Sequence, residues 1–141
     1  MHNLILRTIS RIIVPFALLY GIFIIMHGHL SPGGGFSGGA MIGAGLILYT
    51  LVFGAKAAAT LFPPTVAEWL ETGGILVYIA TGLVGVFTVD SFLSNINAGF
   101  GFGTPGTLFS AGMIPILMIA IGIKVASTMM TLFRGLLEEP R

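Results

Sequence analysis

Four long apolar runs, separated by short polar or glycine-rich stretches, constrain this chain more than any other feature. Crossing the hydrocarbon core of a bilayer takes about 20 residues of helix. The first run is Ile9 to Met26, with Arg11 near its start and Pro15 one turn in, where a proline is tolerated. The second begins near Phe36 or Ala40 and ends at Lys56. The third runs from about Thr72 to Val89, preceded by a helical start near Val66, and the fourth from Leu108 to Phe133. The expected spans are therefore about 9–26, 38–56, 66–89 and 108–133, within a single membrane domain covering residues 1–141. Composition agrees: 55% of residues are hydrophobic and 8% charged, where a soluble domain carries about 25% charged residues. Such a chain cannot cover its own surface with polar groups, so the fold class is all-α integral membrane. No polar stretch is long enough to fold into a soluble catalytic domain. The first run has the basic start of a signal peptide. It is long enough to span, however, and ends in His27-Gly28-His29 rather than a small-x-small site, so it reads as a retained helix.

Charge gives the orientation. Arg7 and Arg11 precede the first span, Lys56 closes the second, and Arg134 and Arg141 follow the fourth. With four spans these cations share one side of the membrane and the other side has none, whereas three or five spans would scatter them. By the positive-inside rule the shared side is cytoplasmic, and both termini lie there. The localisation that follows is the inner cell membrane. A net charge of +1 offers no stripe for phosphates, so nucleic acid is not an expected partner. The chain has no cysteine, which excludes disulfides, thiolate catalysis and iron–sulfur ligation within it. No cofactor is expected in this chain.

Between the spans, Thr65-Val66-Ala67-Glu68 has capping-box spacing after Pro63-Pro64. The first outer loop contains Pro32-Gly33-Gly34-Gly35, which permits positive φ and close backbone approach. It lacks the Gly-Lys-Ser/Thr of a phosphate loop. It reads as a structural turn that re-enters the membrane or lies under a neighbouring chain. The second outer loop, Asp90 to Thr107, is dominated by glycine and phenylalanine and is expected to pack at the interface or against a neighbour. Small residues let membrane helices approach closely. Gly39 and Gly43 form a GxxxG pair, and Glu71, Gly74, Tyr78, Thr81, Gly82, Gly85 and Thr88 share one face of the third span. These faces either meet other subunits or pack within a four-helix bundle.

Lys124 is the residue that most needs explaining. It lies within the fourth span, roughly 15 Å from the cytoplasmic end at 1.5 Å per residue. A lysine at that depth costs at least ~2.5 kcal/mol. Ser127, Thr128 and Thr131 follow it at helical spacing and suggest a polar stripe toward the cytoplasm. Two roles fit: a protonatable or charge-balancing group beside an ion path, or a structural lysine that snorkels or pairs with a carboxylate of another chain. Glu71 and Glu68 flank the cytoplasmic mouth of the third span, as solvated surface acids or as cation collectors. His27 and His29 suit a proton relay or a hydrogen-bonded turn. With Asp90 the sole acid on their side they fall short of a metal site, and none is expected. No Ser-His-Asp arrangement, paired carboxylates or HExxH is present, so no catalytic residue is assigned.

His27-Gly28-His29-Leu30-Ser31-Pro32-Gly33-Gly34-Gly35-Phe36-Ser37-Gly38-Gly39 resembles the signature loop of the MnhB (MrpB) subunit of Mrp-type sodium/proton antiporters. Gly103-Thr104-Pro105-Gly106-Thr107-Leu108-Phe109-Ser110-Ala111-Gly112-Met113-Ile114-Pro115 and Gly122-Ile123-Lys124-Val125 resemble the same family. The resemblance covers nearly the whole chain. It implies a small membrane subunit of a hetero-oligomeric cation/proton antiporter, surrounded by other membrane subunits and lipid, with Na⁺ and H⁺ as transported ions. It equally implies the similar subunits of membrane-bound hydrogenase-type redox pumps. It carries over no assigned ion ligand. A purely structural assembly subunit and a self-sufficient small channel are the rival readings from other classes.

Overall fold

A computed structural model describes residues 2–30, 33–90, 92–93 and 112–138. It contains α1 (His2–Met26), α2 (Gly35–Phe53), a short α3 (Ala55–Leu61), α4 (Pro64–Val89) and α5 (Ile114–Leu137). No strand occurs among the described residues. Helices α1, α2, α4 and α5 are each long and apolar enough to cross a membrane, so the chain is a multi-pass membrane protein.

The helix ends depart from the hydropathy reading for identifiable reasons. Helix α1 starts at His2 rather than near Ile9, and runs through both arginines. The guanidinium carbons of Arg7 and Arg11 stand 5.7 and 6.0 Å from the centre of the Phe53 ring, which gives each cation a π face to rest on. Pro15 consequently lies well inside the helix and not near its end. Membrane helices tolerate such a proline because neighbouring groups re-satisfy the freed backbone. Helix α2 stops at Phe53 instead of Lys56 because Gly54 takes a φ of 95°, a conformation that side chains disfavour. Lys56 falls on α3. Helix α4 begins at Pro64, ahead of the expected Val66, and no side chain caps it, so the Thr65–Glu68 capping box does not form. A proline in the first turn needs no cap for its missing N–H, and its fixed φ starts the helix by itself. The expected start of the last span at Leu108 lies outside the described residues. Its helix runs past Phe133 to Leu137.

The four long helices pack in the order α1, α2, α5, α4, each against its neighbours in that row, with α3 folded onto α2. Contacts fix the directions. Gly21 lies against Gly38, while Gly45 lies against Ala17 and Leu18, so α1 and α2 are antiparallel. Gly35, Gly39 and Gly43 meet Met118, Gly122 and Met129 in turn, so α2 and α5 are parallel. Gly74 meets Ala120 and Lys124 while Glu71 reaches Thr128, so α4 is antiparallel to α5. The start of α1 and the end of α5 therefore share one end of the array, where Arg134 also lies over the Phe62 ring. A small buried cluster of Leu46, Ala58 and Met130, backed by Tyr49 and Phe62, closes that end.

Glycine makes the two seams of α2 tight. A Cβ on Gly21 would stand 2.8 Å from the Gly38 carbonyl oxygen, and one on Gly39 would stand 2.6 Å from the carbonyl oxygen of Gly122. The small faces of α2 are thus used within the chain, on α1 and α5, and Gly74 of α4 is used on α5.

Candidate functional site

Lys124 sits near the middle of α5, ten residues from Ile114 and thirteen from Leu137. Its ammonium nitrogen is 3.9 Å from Glu71 Oε1, on α4. The Thr128 hydroxyl, one turn along α5, donates to the same Glu71 oxygen at 2.8 Å. Gly74 makes this meeting possible. A Cβ there would stand 2.9 Å from Lys124 Cβ and 2.7 Å from the Ala120 carbonyl, so its absence lets the helices close at the level of the charges. The carboxylate expected from another chain is supplied by this one. Glu71 accordingly has two partners on α5, Lys124 and Thr128. Its side chain is 29% exposed and that of Lys124 34%, so each is covered by its partner on one side and open on the other.

The stripe proposed from spacing divides. Thr128 joins Lys124, but Ser127 turns to an adjoining face of α5, where it is 1% exposed. There it lines an apolar groove of about 270 Å³ with Ile25, Leu46, Leu70, Ile119 and Ile123. One hundred degrees of rotation per residue is enough to put neighbours Ser127 and Thr128 on different faces. Thr131 stays on the Lys124 side: it lines a cavity of about 290 Å³ with Glu68, Arg134 and Glu138. A smaller cavity of about 130 Å³ lies beside Lys124, lined by Gly74, Ile75, Tyr78, Ala120 and Ile121. Tyr78 was visible in sequence only as a face residue, and its place beside Lys124 follows from α4 running antiparallel to α5. Arg134 hydrogen-bonds the Phe62 carbonyl, tying the end of α5 to the turn before α4.

The remaining candidates are elsewhere. His27 follows α1, its Nδ1 3.0 Å from the Phe23 carbonyl and its ring stacked on Phe23 at 4.3 Å. His29 lies half-buried in the same turn, and neither histidine lines the cavity beside Lys124. Asp90 is an exposed, left-handed residue (φ 57°) whose N–H closes the end of α4 on Val86. Nineteen residues separate it from Glu71 along one helix, about 28 Å at 1.5 Å per residue. Among the described residues no three His, Asp or Glu side chains converge as metal ligands.

Of the loop Pro32-Gly33-Gly34-Gly35, Pro32 lies outside the described residues. Gly33 and Gly34 take φ of 137° and 154°, and Gly34 precedes α2 as its cap. The Gly35 N–H points at the Met118 sulfur, 3.1 Å away, and a Cβ on Gly35 would stand 2.6 Å from the Met118 carbonyl oxygen. The loop is therefore seated on this chain's own α5. Of the second outer loop only Asp90, Phe92 and Leu93 are described. Phe92 folds back onto Gly82, and the Leu93 N–H reaches the Gly82 carbonyl at 3.3 Å. The rest of it lies outside the described residues.

Comparison with known proteins agrees with this architecture. A solved chain of the membrane-bound sulfane sulfur reductase, an archaeal respiratory membrane complex, superposes with a TM-score of 0.80 at 36% identity, over 96% of this chain and 58% of that one. An uncharacterized protein of Methanocaldococcus jannaschii is 40% identical over 79% of this chain, which spans only 43% of that protein's length. A putative antiporter subunit mnhB2 of Staphylococcus haemolyticus is 31% identical over 88% of this chain and 90% of its own length. A Na⁺/H⁺ antiporter subunit of Bacillus subtilis is 27% identical over 98% of this chain and 95% of its own length. The family model for the domain related to the MnhB subunit of the Na⁺/H⁺ antiporter matches residues 5–131. With the family model matched over residues 5–131 and these relatives beside it, the chain belongs to the MnhB family.

Proposed function

We propose that the chain is a small membrane subunit of a hetero-oligomeric Na⁺/H⁺ antiporter-type complex, in which the α4–α5 seam forms or braces part of the ion path. One observation carries this reading: a lysine near the middle of α5 faces a glutamate seven residues into α4, and both are still about one-third exposed. Acyl chains do not solvate such groups. Their open side therefore belongs against water or against a helix of another subunit. The case for partners rests mainly on these charges, because the glycines of α2, together with Gly74 and Gly82 of α4, find their counterparts within the chain. The end bearing Arg7, Arg11 and Arg134 faces the cytoplasm by the positive-inside rule, with both termini there.

Two parent complexes suit the subunit. Relatives such as the Bacillus subtilis protein carry the name of an antiporter subunit, and the solved neighbour belongs to a respiratory membrane complex. The chain is non-catalytic in either setting, with redox chemistry, where present, residing in other subunits.

The test is Lys124→Ala in the whole complex, read by ion exchange in vesicles together with subunit content. Loss of exchange in a complex that still assembles supports the path role. Full exchange, or loss of assembly alone, supports a purely structural subunit. Flux through the isolated subunit in liposomes overturns the requirement for partners.

A further inference from the structure

The polar groups of the α4–α5 seam are distributed unevenly along it. From the arginine-bearing end inward come Glu138, Glu68 and Thr131 around the larger cavity, then Thr128 on Glu71, then Lys124 and the smaller cavity with Tyr78. Beyond Tyr78 the next polar residues of α4 bond inward. Thr81 donates to the Val77 carbonyl at 2.7 Å and Thr88 to the Val84 carbonyl at 2.7 Å. On α5 every residue from Ile114 to Ile123 is apolar or glycine. The seam is thus polar from one end to its middle and apolar from there on.

We propose that this seam is a one-sided proton inlet: a water-accessible half-path that opens at the arginine-bearing end and stops at the Lys124–Glu71 pair. The inference rests on the ion-path reading above and adds a direction, a depth and an ion. Volume permits it. A water takes about 30 Å³ of liquid volume, so the cavity of about 290 Å³ holds several waters. The larger cavity offers carboxylate, hydroxyl and guanidinium partners for those waters, whereas the walls of the smaller one are almost wholly apolar, so the wet stretch ends at the Lys124–Glu71 pair. The occupant of the inner end is a proton rather than a metal cation. Sodium placed on Glu71 Oε1 would sit beside the Lys124 ammonium and compete with it for a carboxylate oxygen that already accepts from Thr128. A proton has no such conflict. Hydronium in the mouth gives its proton to the Glu71 carboxylate, leaving water and a neutral carboxyl group, and the reverse transfer to water restores the ion pair. The charged groups facing Glu71 from α5 and along the seam are Lys124, Arg134 and Glu138, with Glu68 on its own helix and Tyr78 beyond.

The absence of native cysteine makes access measurable position by position in this chain. Thr131→Cys reports the mouth, Thr128→Cys the depth of Glu71, and Ser127→Cys the dry side of α5. Glu71→Cys is a second deep reporter should Thr128→Cys fail to assemble. The probe is a membrane-impermeant, positively charged methanethiosulfonate applied to the assembled complex in sealed vesicles of each orientation. Apolar burial raises a thiol's pKa, and each unit removes about tenfold of its reactive thiolate. The expected result is that Thr131→Cys and the deep reporter react from the arginine-bearing side at least about tenfold faster than Ser127→Cys. Reaction of the deep reporter no faster than Ser127→Cys, or equally fast from the opposite side, overturns the half-path. That failure is separable from failure of the ion-path reading. A protected deep reporter with transport abolished by Lys124→Ala removes the inlet and keeps the role. A reactive reporter with normal transport in Lys124→Ala keeps water entry and removes the role.

Discussion

Helix α5 has two neighbours in the row, and its two seams are built on opposite rules. Toward α2 it meets glycine after glycine, with backbone carbonyls where side chains would otherwise stand. Toward α4 it carries an ion pair, a hydroxyl and two cavities. Between membrane helices a dry seam gains from close packing, since lipid offers no hydrophobic drive to associate. A charged seam gains little stability by comparison, because desolvating two ions offsets much of their attraction. The contrast fits a structural task for the α2 seams and, under the proposed function, ion chemistry at the α4 seam.

The most damaging way to break this contrast is to fill the tight seam. Gly39→Leu forces a side chain against the Gly122 backbone, which cannot yield as a side chain can. Overpacking of this kind costs about 3 kcal/mol or more where backbone must move. Loss of the folded subunit, measured by thermal stability in detergent, is the expected outcome. Next in size is Glu71→Ala, which leaves Lys124 without its counter-charge. The pair is partly open, so the expected loss lies between the exposed and buried limits, about 1–3 kcal/mol. The double variant Glu71→Ala/Lys124→Ala is expected to be more stable than Glu71→Ala alone, and a purely additive double variant would show that the two residues do not interact. Thr128→Val removes one hydrogen bond at constant shape and is expected to cost about 0.5–1.5 kcal/mol. Smallest is Gly73→Ala on α4, where an added Cβ meets nothing within 4 Å. It should change the isolated subunit by less than about 1 kcal/mol. Loss of assembly in this variant would show that a partner helix lies against Gly73, and would sharpen the boundary between the internal and external faces of α4.

The spans and the clustering of Arg7, Arg11 and Arg134 at one end were legible in the sequence, because hydropathy and charge act locally along each helix. Helix ends were less so. Hydropathy starts the first span near Ile9, yet α1 continues back to His2 with Arg7 and Arg11 resting on Phe53, and Pro64 overrides a capping box whose spacing is correct. Lys124 was conspicuous for its depth, but its partner was not. Glu71 lies 53 positions away, and nothing in spacing says which helix will face which. The same ignorance of helix order left the destination of the α2 glycines open. It also grouped Ser127 with Lys124, when the two line different cavities.

The division between the seams is tested most directly by one paired assay in vesicles containing the assembled complex. Lys124→Met and Gly39→Ala are compared for ion exchange normalised to the amount of complex. The expected result is that Lys124→Met lowers exchange per complex, while Gly39→Ala lowers the amount of complex and leaves exchange per complex near the parent value. Equal exchange per complex in Lys124→Met and the parent would contradict that division.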